Sequence, residues 1–348
     1  MSFKTWLSII TLILVGVIIF FSRDELLQAW KLLGGVNIWI LMLLIPIQMV
    51  VYYIGGETMF SYLRAKGTIK EIPAGDLTQM ALEMNFVNHV LPSGGVSGIS
   101  YMTWRLSKYG IPAGRAAMAQ LVRFAMTFLA YILIVLVAIV AITIDGNINR
   151  WVIFISFTMV IVLLLAGVGG AYVLGGRQRM WKAAGFVVKH GNRLVKRLTF
   201  GRKKRTFRYA EVEKFFTDMH FDYTALKTDR KILARPLMWG GAYAIGDVLM
   251  YLITFWAMGI IFNPAPLFIA YGVASISGFI VVTPGGTGAF EAMMVGFLAL
   301  SGLDKSEAIA GVVLTRVIAL LGTIIFGYVF YQKAILKYGK YDAANSRR

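Results

Sequence analysis

Residues 282–291 read Val282-Thr283-Pro284-Gly285-Gly286-Thr287-Gly288-Ala289-Phe290-Glu291, with apolar stretches on both sides. Proline lacks a backbone N–H and glycine supports a helix interior poorly, so no continuous helix is expected through this stretch. Inside a bilayer, backbone that leaves the helix must be buried in protein or line a wet cavity. A second stretch of the same kind lies earlier, at Pro92-Ser93-Gly94-Gly95-Val96-Ser97-Gly98. The two breaks interrupt moderately apolar segments at 77–112 and 266–303, which read as broken hairpins. They decide the fold.

The rest of the chain demands a membrane. Of its 348 residues 58% are apolar and 15% charged, against about 45–50% and 25% in soluble domains. That excludes an ordinary soluble domain and simple disorder. With no Cys and three His, disulfides, thiolate metal sites and Cys nucleophiles are excluded as well. Uncharged apolar runs at about 5–21, 36–54, 124–144, 151–174, 237–261 and 307–330 each approach the ~20 residues that span hydrocarbon. The first run lacks a small-x-small cleavage site and ends at Ser22-Arg23-Asp24, so it is expected to stay as an anchor. Trp6, Trp39, Trp151 and Trp239 lie near run ends, where amphipathic rings favour the interface.

Flanking charge sets the direction of each hairpin. Arg64, Lys66 and Lys70 precede the first, and Arg105, Lys108 and Arg115 close it. The positive-inside rule puts both flanks in the cytoplasm. The second hairpin follows Phe262-Asn263-Pro264 and leads to Asp304, Lys305 and Glu307, with no basic excess. Counted from a cytoplasmic N-terminus, it enters from outside. Each half then has two spans, a broken hairpin and a third span, in opposite orientations, as inverted repeats do. Matching offsets support the repeat: Pro92 to Arg123 is 31 residues and Pro284 to Arg316 is 32, with Gly110 and Ala116 answered by Gly302 and Ala308.

The expected fold is an all-α integral membrane protein. It has about six full transmembrane helices plus two broken re-entrant hairpins in an inverted repeat. Residues 1–144 form the first repeat and 145–176 the first span of the second. A basic cytoplasmic interfacial segment covers 177–235, the rest of the second repeat 236–335, and a cytoplasmic tail 336–348. Both termini are expected on the cytoplasmic side of the cell membrane.

The middle segment carries 17 Lys+Arg against five Asp+Glu, or +12 of the chain's +18. Trp181, Ala184, Val188, Val195 and Leu198 share one helical face, as do Val212, Phe215, Phe216, Met219, Tyr223 and Leu226. Both read as interfacial helices facing anionic lipid, with Asp218 and Asp222 on a solvated side. The run Arg202-Lys203-Lys204-Arg205 would also suit nucleic acid. Lying between two spans, it reads instead as topology and lipid surface, and no nucleic-acid partner is expected.

The chemistry concentrates at the breaks. Half-helix N-termini expose N–H groups suited to a phosphate or carboxylate. Gly94, Gly95, Gly98, Gly285, Gly286 and Gly288 therefore read either as an anion cradle or as small residues permitting tight packing. Ionisable residues within spans usually face a cavity or a partner; here they are Glu83, His89, Arg123, Asp247, Glu291 and Arg316. Asn85, Asn88, His89 and Pro92 form one polar stripe, and Gln120, Arg123 and Thr127 another. The guanidinium forks of Arg123 and Arg316 match phosphate bidentately, or else pair with Glu83, Glu291 or Asp247. The expected substrate set is Arg123, Arg316, the six glycines, Asn88, His89 and Glu291. No nucleophile–base pair, metal cluster or cofactor motif is readable.

Pro92-x-Gly94-Gly95-x-x-Gly98 with Arg123, and Val282 to Glu291 with Gly302-Leu303 and Arg316, resemble the lysylphosphatidylglycerol synthase transmembrane (flippase-like) family. The resemblance covers roughly 5–335. It implies a polytopic protein that moves aminoacylated or other anionic phospholipids between leaflets. Some members continue into a cytosolic aminoacyl-tRNA-dependent transferase; the chain ends at Arg348, soon after its last apolar run, so that domain and its catalysis are expected to be absent. The primary expectation is a flippase for an anionic or aminoacylated phospholipid or a polyprenyl-phosphate lipid, partnered by membrane lipids and their anionic head groups. The alternative is a membrane enzyme or enzyme subunit of head-group modification, such as lysylphosphatidylglycerol synthesis, working with a separately encoded transferase. A non-transporting assembly partner is the third reading.

Overall fold

The computed structural model describes residues 23, 27, 30–31, 33–69, 72–90, 96–144, 150–198, 209–280 and 288–338. The first apolar run, the tail from 339 and the break glycines Gly94, Gly95, Gly285 and Gly286 lie outside these residues. Regular structure among the described residues is helical throughout. A short turn, Ile38–Leu41, is capped by the Asn37 side chain, which accepts from the Trp39 N–H at 3.1 Å. It leads into α1 (Leu44–Ala65).

The first hairpin is α2 (Ala74–Val90) and α3 (Val96–Ser107), followed by α4 (Ala113–Ile144). Next come α5 (Arg150–Leu174), α6 (Arg177–Leu198) and α7 (Tyr209–Thr228). After α8 (Ala234–Ala257), the second hairpin is α9 (Ala265–Ile280) and α10 (Ala289–Leu300), and α11 (Lys305–Tyr338) closes the described chain. The arms end at Val90 and Ile280 and the next helices begin at Val96 and Ala289, on either side of the two Pro-Gly stretches. Asp304 caps α11: the Ser306 hydroxyl and the N–H groups of Ser306 and Glu307 converge on its carboxylate and hold it below the usual carboxylate range.

Among the described residues four helical stretches are long and apolar enough to cross a membrane: Ile38–Ala65, Ala113–Val140, Arg230–Ala257 and Lys305–Tyr338. A fifth candidate joins Val160–Val173 to Gln178–His190 across a 98° bend. Arg179 closes that bend. Its Nε donates to the Tyr172 carbonyl at 2.7 Å and its guanidinium stacks 3.8 Å over the Tyr172 ring. On α5, Phe154, Ile161, Leu165 and Val168 are all more than half exposed. A helix that shows such residues outward suits hydrocarbon rather than water.

The hairpins pack across the halves. The arm α2 lies on α11, the arm α9 lies on α4, and α1 packs against α8. Lipid tails are as apolar as leucine, so close backbone approach rather than hydrophobic burial holds such helices together. Gly55 lets α1 sit on Tyr243, to which an added Cβ would come within 2.9 Å; Gly246 receives Val51 within 2.7 Å. Gly327 of α11 does the same for Phe86 of α2.

Two sequence expectations change here. Asp222 is not on a solvated face: it is 2% exposed and pairs with Arg115 at 3.4 Å. The helix α7 docks on α4, with Met219 and Leu226 buried in the core beneath the first hairpin. Gly114 makes this possible, because a Cβ there would strike Asp218 and the Phe215 carbonyl. An amphipathic pattern looks the same whether lipid or protein covers its apolar side, and here protein covers the apolar side of α7.

Candidate functional site

The second break is fastened by charge. Gly288 has φ +90°, a conformation that favours glycine, and directly precedes α10. The Gly288 N–H donates to Glu291 Oε2 at 2.6 Å, the backward reach of a capping box. The other oxygen of Glu291 accepts from Arg316 Nε at 3.1 Å, with side-chain exposures of 17% and 21%. Arg316 also lies 4.7 Å over the Phe290 ring. Of the alternatives open in the sequence, Arg316 takes the ion pair with Glu291. The Gly288 N–H is engaged by its own helix and is not an open donor.

The first break is fastened without charge. The Gly98 N–H donates to Asn88 Oδ1 at 2.8 Å, and Ser97 Oγ donates to the Val87 carbonyl at 3.3 Å. A Cβ on Gly98 would collide with the Asn88 amide. Asn88 and Gly98 hold the hairpin arms to each other, which explains both residues without an anion. His89 Nδ1 bonds to the Asn85 carbonyl at 2.8 Å, and the imidazole lies within electrostatic reach of Arg316.

Arg123 is placed differently from Arg316. Its Nη1 donates to Met84 Sδ at 3.2 Å, and Gln120, one turn earlier, donates to the same sulfur at 3.3 Å. A thioether is a weak acceptor. Among the described residues no carboxylate lies within ion-pair distance of Arg123. Asp247 and Tyr243 are within its electrostatic reach. Arg123, Tyr243, Asp247 and Tyr271 each keep part of their surface exposed.

The Asp247 carboxylate accepts from Tyr271 at 2.8 Å, from Tyr131 at 3.4 Å, and from Tyr243. Tyr271 continues into a ring chain: Tyr251 at 5.6 Å and Phe290 at 5.6 Å, which leads to Arg316. A reading of the sequence alone passes over these tyrosines. Tyr243, Asp247 and Tyr251 stand at four-residue spacing on α8, and that stripe is the signal that could have found them.

Glu83 departs from expectation as well. Its partner is neither Arg123 nor Arg316 but Arg105, whose Nε donates at 3.0 Å, with Tyr101 donating at 2.9 Å. The pair is sealed, at 3% and 1% exposure. Arg105 is therefore an internal cation rather than an exposed marker of the cytoplasmic flank.

The model of the lysylphosphatidylglycerol synthase transmembrane region matches residues 6–327 of the chain. The chain belongs to this family. A relative, a "UPF0104 membrane protein" of Methanothermobacter thermautotrophicus, is 22% identical over 235 residues, covering 67% of this chain and 68% of that one. No solved structure matches. Among the described residues no three His, Asp or Glu gather as a metal site. The groups at hand are the Arg123 guanidinium, the Asp247 carboxylate and the hydroxyls of Tyr131, Tyr243 and Tyr271.

Proposed function

We propose that this membrane protein moves a lipid with a phosphate-bearing head group between the leaflets of the cell membrane. The substrate is an anionic or aminoacylated phospholipid or a polyprenyl-phosphate lipid. The observation that carries this reading is Arg123, a permanent cation deep among helices whose nearest acceptor is a thioether. A buried guanidinium without an anion is costly, and a lipid phosphate supplies both the charge and the bidentate acceptors. Arg316, reached along the tyrosine chain, completes the path by exchanging Glu291 for phosphate.

The reading includes an inverted repeat of six spans and two re-entrant hairpins. The reciprocal packing of α2 on α11 and of α9 on α4 supports it. Rocking one repeat against the other would open the cavity to each leaflet in turn. Both termini lie in the cytoplasm, and α6, turned 98° from the preceding helix, rests its basic side on the anionic inner leaflet. A separately encoded transferase fits as the source of an aminoacylated head group.

Native mass spectrometry of the purified chain with phosphatidylglycerol, lysylphosphatidylglycerol, a polyprenyl phosphate and a neutral diacylglycerol tests the substrate class. Retention of the phosphate lipids, and their loss in Arg123→Gln, is expected. Equal retention of diacylglycerol would sink the reading.

A further inference from the structure

The carboxylate of Asp247 is the acidic group within electrostatic reach of Arg123, and lipid binding at Arg123 leaves it unused. Its hydrogen bonds come from three neutral hydroxyls, Tyr131, Tyr243 and Tyr271. The elements packed on α8 bring few other charges towards it. Tyr52 comes from α1, Arg123 and Tyr131 from α4, and Tyr271 from α9. Tyr251 is one turn further on α8, and α11 brings Arg316, already held by Glu291. The turn Ile38–Leu41 carries no titratable group. Arg230 and Lys231, in the turn before α8, stand about 25 Å of helix away. Among the described residues, Arg123 is thus the cation placed to balance Asp247.

We propose that Asp247 couples lipid binding to protons, taking up one proton from cavity water when a phosphodiester binds at Arg123. This rests on the reading that Arg123 receives the lipid phosphate. Before binding, Arg123 and Asp247 together are neutral. A phosphodiester that occupies the guanidinium leaves two anions and one cation in a poorly solvated space, and Coulomb energies there are large. A proton on a carboxylate oxygen of Asp247 restores neutrality, and the protonated carboxyl turns to donate to a tyrosine oxygen. When the lipid leaves, Arg123 again faces Asp247, and the proton departs to the side then open. Lipid and proton travel in the same direction, one for one, so a proton gradient drives the lipid.

Linkage gives the magnitude. Uptake of one proton per lipid makes affinity fall about tenfold per pH unit over the window in which Asp247 is charged without lipid and protonated with it. The test is titration calorimetry of the full chain in detergent with short-chain phosphatidylglycerol, repeated at one pH in buffers of different ionisation heat. Wild type should show one proton taken up per lipid. Asp247→Asn keeps an acceptor for the tyrosines and should bind the lipid with no uptake and with pH-independent affinity. Tyr271→Phe, which removes one donor, should shift the pH window without abolishing uptake.

Lipid binding lost in Arg123→Gln, with no proton uptake in wild type, overturns the coupling and leaves the lipid reading standing. Uptake unchanged in Asp247→Asn, or binding that needs Na⁺ instead, also overturns it. Binding left intact by Arg123→Gln overturns the lipid reading and this proposal together. If Asp247→Asn does not fold, the wild-type buffer series decides alone.

Discussion

Arg316 Nε lies 3.1 Å from Glu291 Oε1, while the second oxygen of that carboxylate closes the turn at Gly288. One side chain thereby fastens the second break to α11. At the first break an amide, Asn88, takes the N–H of Gly98 and involves no charge. The two arginines that stand at matched offsets in the sequence are therefore unequal: one is held by a carboxylate, the other faces a sulfur.

The Arg316–Glu291 pair should show energetic coupling. Each side chain is partly open, so the fully buried cost of about 3–5 kcal/mol must be discounted. Arg316→Gln and Glu291→Gln are each expected to lower stability by about 1–2 kcal/mol, with the double variant losing less than the sum. Thermal unfolding of the four forms in detergent measures this; strictly additive losses would remove the pair from the account.

Glu83 and Arg105 are sealed and joined by Tyr101, and no discount applies. Arg105→Gln should cost about 3–5 kcal/mol by stranding the Glu83 carboxylate. Arg105→Met with Glu83→Leu should recover most of that loss. A double variant as unstable as Arg105→Gln alone would show that the pair is not what holds the hairpin.

Gly98→Ala sets a methyl against the Asn88 amide. Overpacking of this kind costs about 1–3 kcal/mol. Adding Asn88→Ala should relieve the clash and return part of the stability, even though it removes a hydrogen bond. If Asn88→Ala makes the Gly98→Ala protein worse, the close approach is not the reason for glycine at 98.

Much of this architecture is legible in the amino-acid sequence. Composition and the apolar runs give a membrane protein, and Pro92 and Pro284 mark where helices break, because a missing N–H and a missing Cβ are local facts. Partners across helices are not local. Along the chain Arg105 and Arg115 look like cytoplasmic flank charges, yet one is sealed against Glu83 and the other pairs with buried Asp222. The charge count behind the hairpin's orientation is correspondingly thinner. Glycines 98 and 288 stand out as special, but their N–H groups are taken by Asn88 and Glu291, which sit ten and three residues away. Tyr131 and Tyr271 come from two different helices to one carboxylate, and no spacing in the chain announces that convergence.

The native chain has no Cys, so single cysteines can be labelled without background. Ala65→Cys and Lys203→Cys should react from the cytoplasmic side, and Asn147→Cys and Ile261→Cys from outside. Labelling of positions 147 and 203 from one side would refute opposite orientation of the halves.

The most direct test of the account is leaflet exchange by the purified protein. Fluorescent phosphatidylglycerol in reconstituted vesicles is bleached from outside by a membrane-impermeant reductant, and the protected fraction is followed with time. Wild type should carry the protected lipid outward, and Arg123→Gln, shown to be folded by its unfolding temperature, should slow exchange at least about tenfold, as loss of a charge-assisted phosphate contact implies. Exchange by a folded Arg123→Gln protein at the wild-type rate would contradict the claim that this arginine receives the lipid phosphate.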